Sequence, residues 1–519
     1  MEKRDLPPEP PSLYDTAVLC GRYLSNRAAS VSKTLKSTGG AAAASQRSSP
    51  QRSPSPSRSA FHHSAGGAGA ATTPSRSHSA TAYLSGVRGV AAVIVFIFHS
   101  TWAFTGAVDQ GYGVDEHNRY LLQLPVLRLV HAGHAMVGVF FLIGGYVNAA
   151  RPLSLIRARR HAALAPAVAA SLLRRGLRLY LPALTAMLAT ALLAYAGTFA
   201  PARHNLDALD DTVFFWPDFH PGRHDSLAAT LRDWRQQAGL LLDPWRQPFW
   251  THYDPHLWTV PLEFRASLVV SLSLAALACC RVGARLALLA LLALFMVRCD
   301  RWEVALFLAG ALLAELDLMR KDAAAAALAG GDGDNDNVQL ESGLYPAAPS
   351  RPRRHVLRGL GIALLALAGM YLMSSPPARA DKTPGFALVN AWLAPSWTDD
   401  PKRYVHGAGA LLFLVAVSSS ATLQRPFLTA TAQYLGTVSY SLYIVHGPVL
   451  HAVGYVVTPA VMAVTGIDTH RDWATGLVLA TLFNFAVALS VADVFYRFVD
   501  VGSVRVATAF QKMCTQSGF

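Results

Sequence analysis

The sequence predicts an all-α integral membrane protein with about ten transmembrane helices, preceded by a disordered tail. Three observations carry this reading. Hydrophobic residues make up 52% of the 519-residue chain and charged residues only 15%, with a mean hydropathy of +0.29. Apolar runs of about 17 to 25 residues recur, each long enough as a helix to cross a hydrocarbon core of roughly 30 Å. The formal net charge is +13, yet the basic residues sit in the tail and in short loops, with no folded basic domain around them. That pattern fits membrane orientation and anionic lipid, and leaves nucleic acid out as a partner.

Residues 1–80 are rich in Ser, Ala, Arg, Pro and Gly, and stretches such as SSPQRSPSPSRS cannot bury enough apolar surface to offset their ordering entropy. A disordered, solvated, cytosolic tail is expected there. The start, MEKRDLPPEPP, lacks the apolar core of a signal peptide, so the first span itself must direct insertion. The spans are expected at 87–105, 134–150, 177–198, 257–279, 283–299, 302–319, 356–374, 405–421, 435–460 and 474–498. Together, residues 81–500 form the transmembrane domain and 501–519 a cytosolic C-terminal tail.

Loop charges set the orientation. The connection after span two carries Arg151, Arg157, Arg159, Arg160, Arg174, Arg175 and Arg178 with no acid, whereas the loop after span one has Arg119 and Arg128 beside Asp109, Asp115 and Glu116. By the positive-inside rule the first of these is cytosolic, which puts both termini in the cytosol. Two connections are long. Residues 320–355, with an Ala run and GGDGDNDN, read as a flexible cytosolic insertion. Residues 199–256 face the lumen or exterior, and their Trp216, Trp234, Trp245 and Trp250 suggest an ordered cap, lying at the membrane interface or lining a cleft.

The five cysteines show neither metal-ligand spacing nor a disulfide framework, so no metal is expected. Adjacent Cys279 and Cys280 close an apolar run and read as buried thiols ahead of palmitoylation targets. His220 and Asp225 match the His-x4-Asp spacing of soluble acyltransferases, but a lumenal loop is the wrong surrounding and the match reads as coincidence.

Ionisable residues inside the spans invite a functional explanation, because each costs roughly 2.5 to 3.5 kcal/mol at a membrane centre. In YLSGVRGVAAVIVFIFHS, Arg88 and His99 are 11 residues apart, so a helix sets them about 20° apart around its axis and about 16 Å apart along it. They line one face at two depths. His99 is suited to general base work, since burial keeps an imidazole neutral. Arg88 lies near the cytosolic end, where it snorkels to lipid phosphate or binds a phosphorylated ligand. Arg174, Arg175 and Arg178 open span three and suit the same two roles. Glu263, with Arg265, lies in the first turns of span four on the lumenal side, as a base-orienting residue, a hydroxyl ligand or half of a structural ion pair. Ser439, Tyr443 and His446 form a polar stripe on span nine, for helix packing or a pore lining.

The segments LSGVRGVAAVIVFIFHS, FFLIGGYV (140–147), RRGLRLYLP (174–182), HLWTVPLEFR (256–265) and LGTVSYSLYIVHGPV (435–449) together resemble acyltransferase family 3, and its fungal branch in particular. The resemblance spans residues 83 to about 500. It implies helices around an internal pore, an acyl-CoA donor entering from the cytosol, and the span-one histidine acting in acyl transfer. It carries those roles to Arg88 and His99, and the basic pair near the donor to Arg175 and Arg178. Trp258, Ser439, Tyr443 and His446 are then acceptor or pore-lining residues. Two positions depart from the family pattern: Gly144-Gly145 replaces the usual Ser-Gly, and Ser85 stands where Asp is frequent.

The expected reaction moves an acetyl or other short acyl group from cytosolic acyl-CoA to a hydroxyl of a glycan, lipid or secondary metabolite. The alternative is a transporter or flippase using the buried His and Glu as a proton relay. Either protein resides in an endomembrane or the plasma membrane.

Overall fold

The computed structural model describes residues 81–209, 213–218, 221–246, 250–329, 352–398 and 400–515, and contains helices but no strand among them. The expected N-terminal tail and His220 lie outside these residues. The first three long helices are α1 (Ala82–Trp102), α2 (Gly133–Arg157) and α3 (His161–Tyr195). The connection that follows holds α4 (Ala200–Ala208) and α5 (Leu227–Leu241), so the described part of 199–256 is an ordered cap. After a short turn at Pro255–Trp258 come α6 (Thr259–Ala276), α7 (Val282–Arg298), α8 (Trp302–Ala329) and α9 (Pro352–Met373). The chain closes with α10 (Ala387–Leu393), α11 (Lys402–Ser418), α12 (Ala421–Gln424), α13 (Ala430–Val449), α14 (Tyr455–Thr465), α15 (His470–Phe495) and α16 (Val501–Cys514).

Each of the ten expected spans coincides with a helix. By length and apolarity, seven helical stretches can cross a membrane, or eight if α11 and the segment Ala421–Leu428, bent by 110°, count as one broken span. The two remaining helices are marginal for physical reasons. α7 has 17 residues, and α8 carries Glu303, Glu315 and Asp317. Burial of those charges is compensated: Arg265 Nη2 donates to Glu303 Oε1 (2.5 Å), while Arg285 (2.7 Å) and Arg157 (3.0 Å) both donate to Glu315 Oε1.

Apolar faces left outside the bundle mark the lipid side. On α7 they are Leu288, Leu291, Leu294 and Phe295, and on α9 Leu357, Leu360, Leu364 and Leu367, both with helical spacing. Inside, α1 packs along α13, α2 along α8, and α9 along α11. The α1–α13 crossing depends on two motif glycines. A Cβ on Gly89 would lie 2.4 Å from Gly436 N, and one on Gly436 would lie 2.2 Å from Ser85 O. The helices therefore touch backbone to backbone.

Three expectations change. α8 continues to Ala329, ten residues past the predicted end, because its Ala run has the highest helix propensity; 330–351 lie outside the described residues. The stretch from 501 is a helix, α16, held on α3 by Arg174 Nη1 donating to Gln511 Oε1 (2.9 Å). Cys279 is exposed and Cys280 half-buried, because the apolar run ends before them.

The alternation of loops is internally consistent. Arg157, Arg285 and Arg320 gather at one end with the start of α3 and α16. At the other end Arg128 is buried rather than exposed, donating to Ser374 O (3.0 Å), Ser375 O (2.9 Å) and Val108 O (2.8 Å). It ties the loop after α1 to the loop after α9.

Candidate active site

The stretch Asp254-Pro255-His256 fixes a histidine by local capping chemistry. Asp254 is the N-cap of the Pro255–Trp258 turn, with Pro at the first helical position. Its Oδ1 accepts both the backbone N–H of His256 (3.0 Å) and the ring Nδ1–H (2.8 Å). A second clamp comes from α13, where the Tyr443 hydroxyl donates to His256 O (2.5 Å) and interacts with Thr259 Oγ1 (2.7 Å). Gly447 makes room for this: a Cβ there would lie 2.7 Å from both Asp254 Oδ1 and His256 Nδ1.

His256 Nε2 lies 3.0 Å from His99 Nδ1. With Asp254 accepting the Nδ1–H, His256 in its neutral form presents a lone pair at Nε2, to which His99 Nδ1–H can donate. His99 Nε2 is then the free basic atom, with no hydrogen-bond partner among the described residues. Asp218 Oδ2, from the cap, stands 3.4 Å from His256 Nε2 and is placed to stabilise the imidazolium when His256 takes a second proton. Burial pushes the Asp254 carboxyl up, and its contact with His256 opposes this. Burial acts on Asp218 as well, but His256 outweighs it and holds that carboxyl below its ordinary range.

The His99–His256 pair walls a cavity of about 520 Å³. Trp102, Trp250, Trp258 and Trp302 supply flat apolar walls, and Asp218, Asp300, Asp400 and Arg403 supply polar ones. Arg403 lies over Trp258 (5.0 Å) and Trp302 (5.2 Å), and its Nη1 is buried without a partner. Trp250 thus serves the cleft, whereas Trp216 and Trp245 are exposed and Trp234 packs against the core.

The other predicted residues divide into two groups. Tyr443 lines the cavity and holds the His256 turn, and His446 adjoins both histidines, with ring centroids 5.2 Å from His99 and 4.4 Å from His256. Ser439 is fully buried and donates to Gly436 O (2.9 Å) within its own helix. Toward the opposite end of α1, Arg88, Arg175, Arg178, Glu263 and Asp500 are mutual charge neighbours. Arg175 Nη2 donates to Glu263 Oε1 (2.7 Å). Glu263 therefore belongs with the arginines, lying about one helical turn beyond Thr259, where α6 starts. Arg265 pairs elsewhere, with Glu303, and Arg174 is engaged by Gln511.

Sequence reasoning missed Asp218, Asp254, His256 and Arg403. A local signal existed for the middle two, since Asp-Pro before a histidine is a cap pattern. Nothing local could join Asp218 or Arg403 to His99.

The described residues thus form a helical membrane bundle with a buried Asp–His–His hydrogen-bond chain at the wall of a polar and aromatic cavity, an arrangement suited to proton abstraction. The chain belongs to acyltransferase family 3, whose model, an acyltransferase domain, matches residues 81–497. It is a multi-pass membrane acyltransferase. Similar proteins are the O-acetyltransferase PaAT-1 of Phomopsis amygdali, 27% identical, covering 83% of this chain and 85% of that one. The acyltransferase clz18 of Cochliobolus lunatus is 26% identical over 81% and 93% of the two chains. The acyltransferase R4 of a Phoma species is 26% identical over 82% and 94%. No solved structure matches the chain.

Proposed function

We propose that the enzyme transfers an acetyl or other short acyl group from acyl-CoA to a hydroxyl of a glycan, lipid or secondary metabolite. The observation that carries this is the 3.0 Å contact of His99 Nδ1 with His256 Nε2, backed by Asp254, at the cavity wall. The acceptor O–H gives its proton to His99 Nε2 while its oxygen attacks the thioester carbonyl. His99 passes its Nδ1 proton to His256, whose positive charge rests between Asp254 and Asp218. Collapse of the tetrahedral intermediate expels the CoA thiolate, and the proton returns along the same chain to it. A positioned base of this kind contributes typically 10² to 10⁴-fold.

The donor enters at the arginine end. Arg88, Arg175 and Arg178 outnumber Glu263 and Asp500, giving an excess of positive charge suited to CoA phosphates. The basic loops gathered at that end support a cytosolic face there, with both termini on the same side, in an endomembrane or the plasma membrane. The cavity's tryptophans and carboxylates suit an acceptor with flat apolar faces and several hydroxyls. The name of the Phomopsis relative supports acetyl as the first donor to try.

The test is incubation of the purified protein with acetyl-CoA labelled in the acetyl group and a panel of hydroxylated acceptors. Acceptor-dependent label transfer and thiol release are expected. Movement of label across a vesicle membrane with no thiol released would overturn the enzyme reading in favour of transport.

A further inference from the structure

Three histidines meet at the relay, and the role of the third is not explained by acyl transfer. His99, His256 and His446 each present a ring nitrogen within 4.8 Å of the other two. His446 is 1% exposed, and its Nε2 is buried with no hydrogen-bond partner. A buried polar atom left unsatisfied is costly, and this one is placed to take a ligand.

We propose that His99 Nδ1, His256 Nε2 and His446 Nε2 bind a divalent transition-metal ion of the zinc type, and that metal and relay proton compete for the same nitrogens. The spacings are close to what is needed. Tetrahedral bonds of about 2.0 to 2.1 Å set ligand atoms about 3.3 Å apart. Here His99 Nδ1 and His256 Nε2 are 3.0 Å apart, and a ring nitrogen of His446 lies within 4.8 Å of both.

The outer atoms are also arranged as metal-ligating histidines require. His256 Nδ1–H donates to Asp254 Oδ1 (2.8 Å) and His446 Nδ1–H to Tyr443 O (2.6 Å), which aims both Nε2 lone pairs inward. The ion displaces one proton, that on His99 Nδ1. The ion occupies the nitrogens through which the relay proton must pass, so the bound ion is inhibitory. Binding stands on the geometry alone, whereas inhibition rests on the acyl-transfer reading above.

The test uses full-length protein without a polyhistidine tag, in detergent, stripped with chelator and desalted. Zinc chloride is titrated calorimetrically with neither donor nor acceptor present, and cobalt(II) is added in parallel to read coordination from its visible spectrum. One saturable equivalent and a tetrahedral cobalt spectrum are expected. His446→Ala and His446→Gln, each checked for a wild-type elution profile, should weaken the affinity at least about tenfold. His252→Ala, which dismantles the separate His224, Asp233 and His252 cluster on the cap, should leave that equivalent unchanged. Titrations identical in wild type and both His446 variants, or an octahedral cobalt spectrum, overturn the site. Zinc binding without acyl transfer to any acceptor leaves the site standing and removes the functional reading instead.

Discussion

The Nδ1 of His99 and the Nε2 of His256 are 3.0 Å apart although 157 residues separate them in the chain. α1 and the turn before α6 meet there, and the contact joins His99 to the His256–Asp254 pair, which forms the proton relay of the proposed mechanism. His99→Ala should lower turnover by about 10² to 10⁴-fold. His256→Ala should approach the same loss, and Asp254→Asn should fall short of it, since an amide can still hold the ring but cannot stabilise its charge. Wild-type turnover in His99→Ala, measured by thiol release, would remove it from the chemistry.

Gly447 tests the packing of the relay without touching its chemistry. A methyl group at this position meets Asp254 Oδ1 and His256 Nδ1 at 2.7 Å, so Gly447→Ala must push one of them away. Loss of a hydrogen bond to a charged group, worth about 1.5 to 3 kcal/mol, corresponds to about a 10- to 100-fold fall in turnover. Detergent-solubilised yield and elution profile should stay as in wild type.

On the proposed reading Arg175 and Arg178 belong to the donor end. Replacing Arg178, which is exposed there, by Ala should raise the KM for acyl-CoA several-fold with little change in kcat. Arg175→Ala should do more, because it also strips Glu263 of its 2.7 Å partner and leaves a carboxylate among fewer cations. Steady-state kinetics with varied donor distinguishes the two.

Tyr443→Phe removes the hydroxyl that holds His256 O and meets Thr259 Oγ1. The ring and the cavity wall remain. A single neutral hydrogen bond of about 0.5 to 1.5 kcal/mol predicts a 2- to 10-fold drop in kcat with acceptor KM unchanged. A larger effect on acceptor KM than on kcat would show that the hydroxyl contacts the acceptor instead.

Stability should fall in mild acid through His131, which lies in the loop after α1 and donates from Nε2 to Leu122 O (2.9 Å). Burial, then the nearby Arg128 charge, hold its pKa down at about 4. The unfolded imidazole protonates near pH 6.5, so the unfolded state binds more protons below that value. This contribution is complete above about pH 6.5 and is lost as pH falls toward about 4, on the order of 3 kcal/mol in total. Thermal denaturation of wild type and His131→Gln across this window should show a shallower pH dependence in the variant.

Much of this architecture is legible residue by residue. Apolar runs place the helices, loop arginines place their ends, and the 11-residue spacing of Arg88 and His99 puts both on one interior face of α1. These features are local, because helix periodicity and the cost of charge in lipid act on each segment by itself. Tertiary packing decided the rest. It lifted His256 out of a motif and set it against His99, placed Glu263 among the arginines, brought Asp218 and Arg403 to the cavity, and made the expected C-terminal tail a helix on α3. Such pairings depend on which helices cross and at what depth, which backbone contacts such as Gly89 against Gly436 determine and no single segment records.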